Sequence, residues 1–326
     1  MDKLNLCIIF GGKSSEHEVS LMSARSIYDN INREKYHLHM IKIEKDGTCN
    51  YLGEEFCSEG VKGNFSIIEQ IKPDVVFPVL HGKWGEDGTI QGFFELAGIP
   101  YVGSRVIGSA ICMDKCIAKI LFKEAGIPQA NWIEVREPSV ESEIKIADTL
   151  GFPCFVKPPN SGSSVGVSKA SNIDELRAGI ASAFECDYKV LVEEAINARE
   201  IECSVMGNLN PVSADVLGEI VSAKDFYDYE AKYQNDNSRL IIPADIPPET
   251  AEKINEYAIK AYKICECRGL ARVDFFVDKN SGEIYLNEIN TMPGFTNISM
   301  YPKLWDASGI GYAELLDRLI ELALEG

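Results

Sequence analysis

Two segments near the C-terminal end, Arg272-Val-Asp-Phe-Phe-Val-Asp and Ile284-Tyr-Leu-Asn-Glu-Ile-Asn, write oxygen ligands into strands that otherwise read as core. Strand side chains alternate between faces, so Arg272, Asp274 and Phe276 share one face, and Leu286, Glu288 and Asn290 share one face of the next strand. One register aligns them: Asp274 opposite Glu288, Arg272 opposite Asn290 and Phe276 opposite Leu286, with 279–283 as the connecting loop. Two carboxylates placed together are costly unless a cation neutralises them. An all-oxygen set suits Mg2+, which commonly shares its shell with substrate phosphates. The pattern points to a Mg-nucleotide site; the competing reading is an ion pair of Arg272 with Asp274 or Glu288 on a solvated hairpin.

Further groups fit phosphate chemistry. Gly162-Ser-Ser-Val-Gly166, between a strand ending in Lys157 and another short strand, reads as a glycine-rich hairpin whose N–H groups can wrap phosphate oxygens, or as an ordinary turn. It is not a Walker loop, and Gly11-Gly12 lacks the third glycine of a dinucleotide fingerprint. Lys157 closes an apolar strand, where a neighbouring phosphate would compensate its burial. Lys115 stands at a helix start, where a cation opposes the dipole, so it reads either as a lysine with an anionic partner or as a solvated surface lysine.

In Gly11-Gly-Lys-Ser-Ser-Glu-His-Glu-Val-Ser20, Ser15 and Glu18 have the spacing of a capping box. Glu16 and His17 are left at the C-terminal edge of the first strand, where open α/β sheets bind ligands and a carboxylate could hold an ammonium group. His81-Gly-Lys-Trp-Gly-Glu-Asp-Gly88 follows another buried strand and reaches the same edge, although Glu86 and Asp87 also suit a tight turn into the next helix. Phe226-Tyr-Asp-Tyr-Glu-Ala-Lys-Tyr233 places aromatics inside a long polar loop, 218–239, which reads as a lid or as packing onto its own domain.

The elements that must carry these groups alternate. A strand at 4–10, a helix from about 18 to 30, strands at 36–43 and 75–80, a helix at 89–97 and a short strand at 100–102 predict a small doubly wound domain. A helix at 114–125, strands at 132–135 and 154–157, and a strand at 190–194 begin an α+β unit. A strand at 201–206, the polar loop, a helix at 248–265, the ligand-bearing hairpin and a helix at 312–324 complete the chain.

Length and composition bound the rest. The 326 residues, 45% apolar, predict two or three globular domains. Fifty acidic against 32 basic residues, a net charge of −18, argue against a nucleic-acid or anionic-membrane surface, so an anionic substrate must be met locally. No apolar run reaches the length of a membrane span, and a cytoplasmic protein is expected. The ten cysteines are scattered among apolar neighbours without zinc-knuckle spacing and read as reduced, buried residues.

Taken in order, Gly11-Gly12 with 15–20, His81-Gly82 with 85–88, Gly162-Ser163-Ser164, Tyr227-Asp228-Tyr229 with Lys232-Tyr233, and Asn287-Glu288 with Asn290-Thr291 and Pro293-Gly294 resemble D-alanine–D-alanine ligases nearly end to end. The resemblance implies α/β and α+β architecture: an ATP-grasp fold preceded by an N-terminal Rossmann-like domain. The implied domains are 1–108 for the amino acids, 109–190 as the small lid subdomain, and 191–326 as the large subdomain with the metal site and the lid loop. It implies ATP-dependent joining of two D-alanines through a D-alanyl phosphate, for peptidoglycan precursors. ATP phosphates would meet Lys115, Lys157, Ser163 and Ser164, and the adenine and ribose would meet Glu193, Glu194, Ala195, Ile196 and Glu200, with Asn287 also on the nucleotide. Asp274, Glu288 and Asn290 would hold two Mg2+ ions, with Mn2+ as a substitute.

By the same resemblance, Glu16 would bind the first D-alanine's ammonium beside His81, and would form a catalytic hydrogen-bonded set with Tyr233 and Ser163. Arg272, Gly294 and Ser299 would surround the second amino acid and the reacting carbonyl, with Lys232 also on the substrate. Ile298 departs from the histidine common before the serine in such ligases. Tyr233 stands where depsipeptide-forming relatives that use D-lactate carry a lid histidine, which favours D-alanine as nucleophile. D-serine is the nearest competitor, because one hydroxyl is hard to reject on size. A homodimer is expected. A nucleotide sensor that kept the grasp without turnover is the alternative of a different class; the intact set of Lys157, Arg272, Asp274, Glu288 and Asn290 argues against it.

Overall fold

The computed structural model describes residues 3–56, 60–162, 165–221 and 239–325. Ser163, Ser164, Lys232 and Tyr233, with the rest of 222–238, lie outside the described residues.

The first sheet is built on β1 (Leu4–Gly11), an almost wholly apolar strand buried along most of its length. Such a strand suits the centre of a parallel sheet covered on both faces. It pairs in parallel with β2 (Tyr36–Ile43) and with β5 (Val75–Val79). Beyond β2 lie β3 (Cys49–Gly53) and β4 (Val61–Gly63), both antiparallel to their neighbours. The expected doubly wound domain therefore has an antiparallel edge, and the strand expected at 100–102 is reduced to one bridge, Val76 with Tyr101. Helices α1 (His17–Asn30), α2 (Ile67–Ile71) and α3 (Thr89–Ala97) follow β1, β4 and β5. Gly11 ends β1 at φ +91°, where a Cβ would come within 2.2 Å of the Ile43 carbonyl oxygen, so the chain turns into α1 at a residue with no side chain.

Helices α4 (Val106–Met113) and α5 (Lys115–Glu124) lead to a four-stranded antiparallel sheet. Its order is β6 (Trp132–Val135), β9 (Val190–Glu194), β7 (Cys154–Lys157) and β8 (Ser168–Ala170). Helices α6 (Val140–Leu150) and α7 (Ile173–Cys186) cover one face of it with Ile146, Leu176 and Ile180. Asp114 caps α5, its Oδ1 accepting from the N–H groups of Cys116 and Ile117, and its other oxygen lies 2.7 Å from the buried Lys189 ammonium. That pair ties the start of α5, and hence Lys115, to the base of β9.

The third sheet is antiparallel, in the order β13 (Arg239–Ile241), β12 (Gly218–Val221), β10 (Ala198–Met206), β14 (Leu270–Asp278) and β15 (Ile284–Asn290), with β11 (Val212–Ser213) beside β10. The loop expected at 218–239 thus begins and ends in strand. One face of the sheet packs on α8 (Pro248–Ile264) and on Cys112, Ala118 and Phe122 of α4 and α5. The last helices, α9 (Met300–Ala307) and α10 (Tyr312–Glu325), share a single core with Leu6, Ile8 and Phe10 of β1. The two ends of the chain are therefore packed together, and the loops after β1 and β5 are held against the segment after β15. Of the cysteines among the described residues, Cys186 is exposed, contrary to the expectation of uniform burial.

Candidate active site

The three sheets open on a cleft of about 1110 Å3. The first sheet contributes Glu16, His81 and Glu86, the second Phe155, Lys157 and Glu193, and the third Glu200, Arg272, Glu288 and Asn290.

In the third sheet Asp274 stands opposite Glu288 and Arg272 opposite Asn290, the register that alternation requires. Beyond that point the expectation fails. A bulge between Asp274 and Phe275 sets Phe275, not Phe276, opposite Leu286. The extra residue lets Leu286 and Ile289 both enter the core while Asn287, Glu288 and Asn290 all line the cleft. Arg272 holds Asp274 with a two-pronged contact, Nε to Oδ1 at 2.8 Å and Nη2 to Oδ2 at 2.7 Å, and its Nε lies 3.2 Å from Oε1 of buried Glu202. Asn290 donates to Asp274 Oδ2 at 2.9 Å. Asp274 therefore sits behind Arg272 and Asn290 and is not among the residues lining the cleft. Glu288 faces it, 3.2 Å from the Lys115 ammonium, which also donates to the Ser161 carbonyl at 3.1 Å. The anionic partner of Lys115 is Glu288.

In the second sheet, alternation sends Cys154 and Val156 into the core and Phe155 and Lys157 to the cleft. Lys157 Nζ lies 2.6 Å from Glu193 Oε2, and Lys119 Nζ lies 2.5 Å from Glu193 Oε1. Burial alone would raise the Glu193 carboxyl, but the two ammoniums outweigh it and hold it down to about 2. Burial opposes the charge on Lys157, and Glu193, with Glu288 and Glu200 beyond it, more than offsets that, raising its pKa. The Glu194 carboxylate accepts from the backbone and side-chain N–H groups of Asn131. With both carboxylates committed, 193–196 offers mainly backbone to the cleft, which Ala195 and Ile196 line.

At the first sheet the expected capping box is not formed. Glu16, not Ser15, is the N-cap residue of α1, and Ser14 Oγ accepts from the Glu16 N–H and donates to the His81 carbonyl. Glu16 is buried against glycines from two other loops: a Cβ on Gly82 would lie 2.5 Å, and one on Gly162 2.6 Å, from its Oε2. The two loops thus face one cleft, as their positions after β1 and β5 require. His81 Nδ1 lies 3.0 Å from the Met292 carbonyl and Nε2 3.1 Å from Ser23 Oγ. A carbonyl only accepts, so Nδ1 carries the proton, and burial keeps the ring below its ordinary pKa despite the nearby Glu16 charge. His81 therefore fastens the first sheet to the segment after β15.

Glu86, read from sequence equally as a helix-start residue and as part of a binding loop, accepts from the N–H groups of Gly82 at 2.6 Å and Met292 at 3.1 Å. Burial, with the Glu16 charge adding to it, pushes its carboxyl up to about 8. A proton kept in the folded chain and released in the unfolded one makes stability fall as pH rises from the ordinary carboxylate range toward that value. Glu86→Gln is expected to flatten this decline between about pH 5 and about pH 8, whatever the substitution costs at the lower value. Thermal melts of both proteins across that range are the check, and an equally steep decline in the variant would remove Glu86 as its source.

Past β15, a Cβ on Gly294 would lie 2.7 Å from Ser299 Oγ, so this backbone and hydroxyl are in close approach. Ser299 Oγ also accepts from the Thr296 N–H at 3.0 Å. Ile298 is 60% exposed at the cleft. Gly294 and Ser299 line the cleft with Arg272. Sequence reasoning missed Lys119, Glu202 and the placement of Glu86. Lys119 had one available signal, its position one helical turn after Lys115, which puts both lysines on the same face of α5.

Residues 5–104 match the family model described as D-ala D-ala ligase N-terminus, and residues 121–321 the one described as D-ala D-ala ligase C-terminus. A D-alanine–D-alanine ligase of Ruminiclostridium cellulolyticum is 51% identical, covering 100% of this chain and 96% of its own. Among solved structures, the D-alanine-D-alanine ligase from Coxiella burnetii superposes with a TM-score of 0.86 at 34% identity over 100% of this chain and 95% of its own. The VanG D-Ala:D-Ser ligase from Enterococcus faecalis gives 0.86 at 38% over 99% and 100%. A Bacillus anthracis D-alanine–D-alanine ligase complexed with ATP gives 0.80 at 35% over 100% and 98%.

Proposed function

The chain belongs to the D-alanine–D-alanine ligase family, and from that premise we infer which of its residues serve each half of the reaction. The protein is an ATP-dependent ligase with an ATP-grasp fold behind an N-terminal α/β domain, and it joins two D-alanines for cell-wall precursor synthesis. No helix among the described residues is long and apolar enough to cross a membrane.

A carboxylate does not react with an amine directly. An oxygen of the first D-alanine must attack the γ-phosphate of ATP, giving an acyl phosphate and ADP. We assign the phosphates to the Lys115 and Lys157 side of the cleft and the first ammonium to Glu16. The observation that carries this is the single cleft into which the ammoniums of Lys115 and Lys157 and the Glu16 carboxylate all open. Adenine and ribose are assigned to 193–196 and Glu200. The second D-alanine attacks the acyl carbon as a free amine, having lost a proton, and phosphate leaves. Arg272 and the Gly294 N–H are assigned to the developing oxyanion, where fixed donors act most strongly. Ser299 and His81 border the amino acids on this reading.

The donor set near Arg272 fits a hard divalent cation. It offers two carboxylates at one register position and the Asn290 amide, all oxygen donors, beside the proposed phosphates. Among the described residues no group of three or more His, Cys, Asp or Glu forms a cage by itself, so substrate oxygens and water would complete the shell. We propose that Glu288, Asn290 and Asp274 hold Mg2+, which when bound offsets phosphate charge. The domain boundaries near 108 and 190, a homodimer and a cytoplasmic location are proposed on the resemblance, the homodimer to be checked by light scattering of the purified chain.

Product analysis with ATP tests the assignment. D-alanine alone is expected to yield D-alanyl-D-alanine, ADP and phosphate, with D-serine and D-lactate poorer second substrates. Dipeptide formed only when D-serine is present would overturn it in favour of a D-Ala-D-Ser ligase. ADP release indifferent to amino acid would favour a sensor.

A further inference from the structure

Glu193 is one carboxylate with two buried ammoniums on it, and the two are not equivalent. The Lys157 side chain is 15% exposed and lines the cleft, whereas the Lys119 side chain is 2% exposed and does not. Glu193 is the single ion-pair partner of the Lys119 ammonium among the described residues, and that ammonium makes no further hydrogen bond there. Taking a lysine fully out of water is costly, and one partner would already satisfy Glu193. A second lysine is understandable if the first must at times leave.

We infer that Lys119 is a positioning residue for ATP: it keeps Glu193 paired when the Lys157 ammonium turns from Glu193 to a nucleotide phosphate. The inference rests on the reading that puts the phosphates at Lys157. Without Lys119, moving Lys157 toward phosphate strands a buried carboxylate, so Lys157 stays on Glu193 and nucleotide binding weakens. The effect is specific to ATP. Lys119 lies on α5, whose Ala118 and Phe122 pack against the third sheet, and its ammonium reaches Glu193 of the second, whereas the amino acids are assigned to the other side of the cleft.

The test is a double-variant cycle on the full chain, read by ATP affinity in equilibrium binding and by the KM values for ATP and D-alanine. Lys119→Met is expected to weaken ATP binding about tenfold or more while the KM for D-alanine stays within about twofold. Glu193→Gln removes the charge that demands a cation, so whatever it costs by itself as part of the proposed adenine contact, the further loss caused by Lys119→Met is expected to disappear in its background. In the Glu193→Gln background, Lys119→Met is expected to change ATP affinity by less than about twofold, an arm that holds even if the single Lys119 variant does not fold. Unchanged ATP affinity in Lys119→Met, or an equally large loss when Lys119→Met is added to Glu193→Gln, would overturn the assignment; a packing role alone would lower the melting temperature and cost the same in both backgrounds. Lys157→Met separates this failure from that of the underlying reading. Normal ATP affinity in Lys157→Met removes the phosphates from that lysine and the inference with them, whereas a loss there beside an unaffected Lys119→Met overturns the Lys119 inference alone.

Discussion

Glu288→Gln is expected to stop dipeptide synthesis, lowering kcat by about 10³-fold or more while the chain stays folded. The substitution keeps shape and removes one charge at a side chain that is 21% exposed and faces the cleft, 3.2 Å from Lys115. The fold loses little, because a partly hydrated carboxylate becomes a partly hydrated amide. The chemistry loses much, because Glu288 is the one proposed cation ligand that lines the cleft with a full negative charge, and its loss also frees Lys115 from its partner. Asp274, the other proposed carboxylate ligand of the same ion, shares its charge with Arg272 and accepts from Asn290, so it does not supply the charge that Glu288 loses. ADP release and product formation should fall together, since acyl phosphate formation precedes everything else. A variant that still makes ADP at a rate within about tenfold of the parent would refute the placement of cation and phosphates at this hairpin.

Arg272→Lys should be nearly as damaging and, unlike the first change, should also destabilise. The guanidinium holds Asp274 through two bonds and lies beside Glu202, and all three side chains are at most 15% exposed. An ammonium cannot reproduce a planar fork that meets one carboxylate with two bonds while facing another. One buried acid is left poorly paired, which costs about 3–5 kcal/mol when a partner is removed outright and part of that here. Activity should fall by about 10²-fold or more, as for other fixed donors at a developing oxyanion. If ADP forms normally while dipeptide does not, Arg272 belongs to the second half-reaction alone. An Arg272→Lys enzyme with parental kcat would remove it from the reaction.

Much of this was legible in the chain. The Asp274 and Glu288 pairing follows from alternation and a short loop, and β2 and α3 end where the sequence places them. Helix α5 starts at the residue its cap demands. The departures share a cause. The bulge at Asp274 and Phe275 inserts one residue to satisfy two demands at once, apolar Leu286 and Ile289 inward and polar Asn287 and Glu288 outward, and strict alternation has no room for both. The capping box at Ser15 was displaced because Ser14 found a partner in the His81 carbonyl, 67 residues away.

What the sequence by itself determined is the kind of chemistry and the local geometry that offers it: which strands turn acids and lysines to one face, which loops leave β1 and β5 at the same edge, and which family the ordered motifs resemble. These depend on neighbours a few residues apart, where backbone periodicity decides the outcome. Only the tertiary structure decided the partners. Glu193 between Lys119 and Lys157, Glu16 against the backbones of Gly82 and Gly162, and Glu86 under the Met292 N–H join segments from different sheets. Such pairings are set by how three packed layers close on one another, and the energy that drives closing, burial of apolar surface, is non-directional and leaves no periodic trace along the chain.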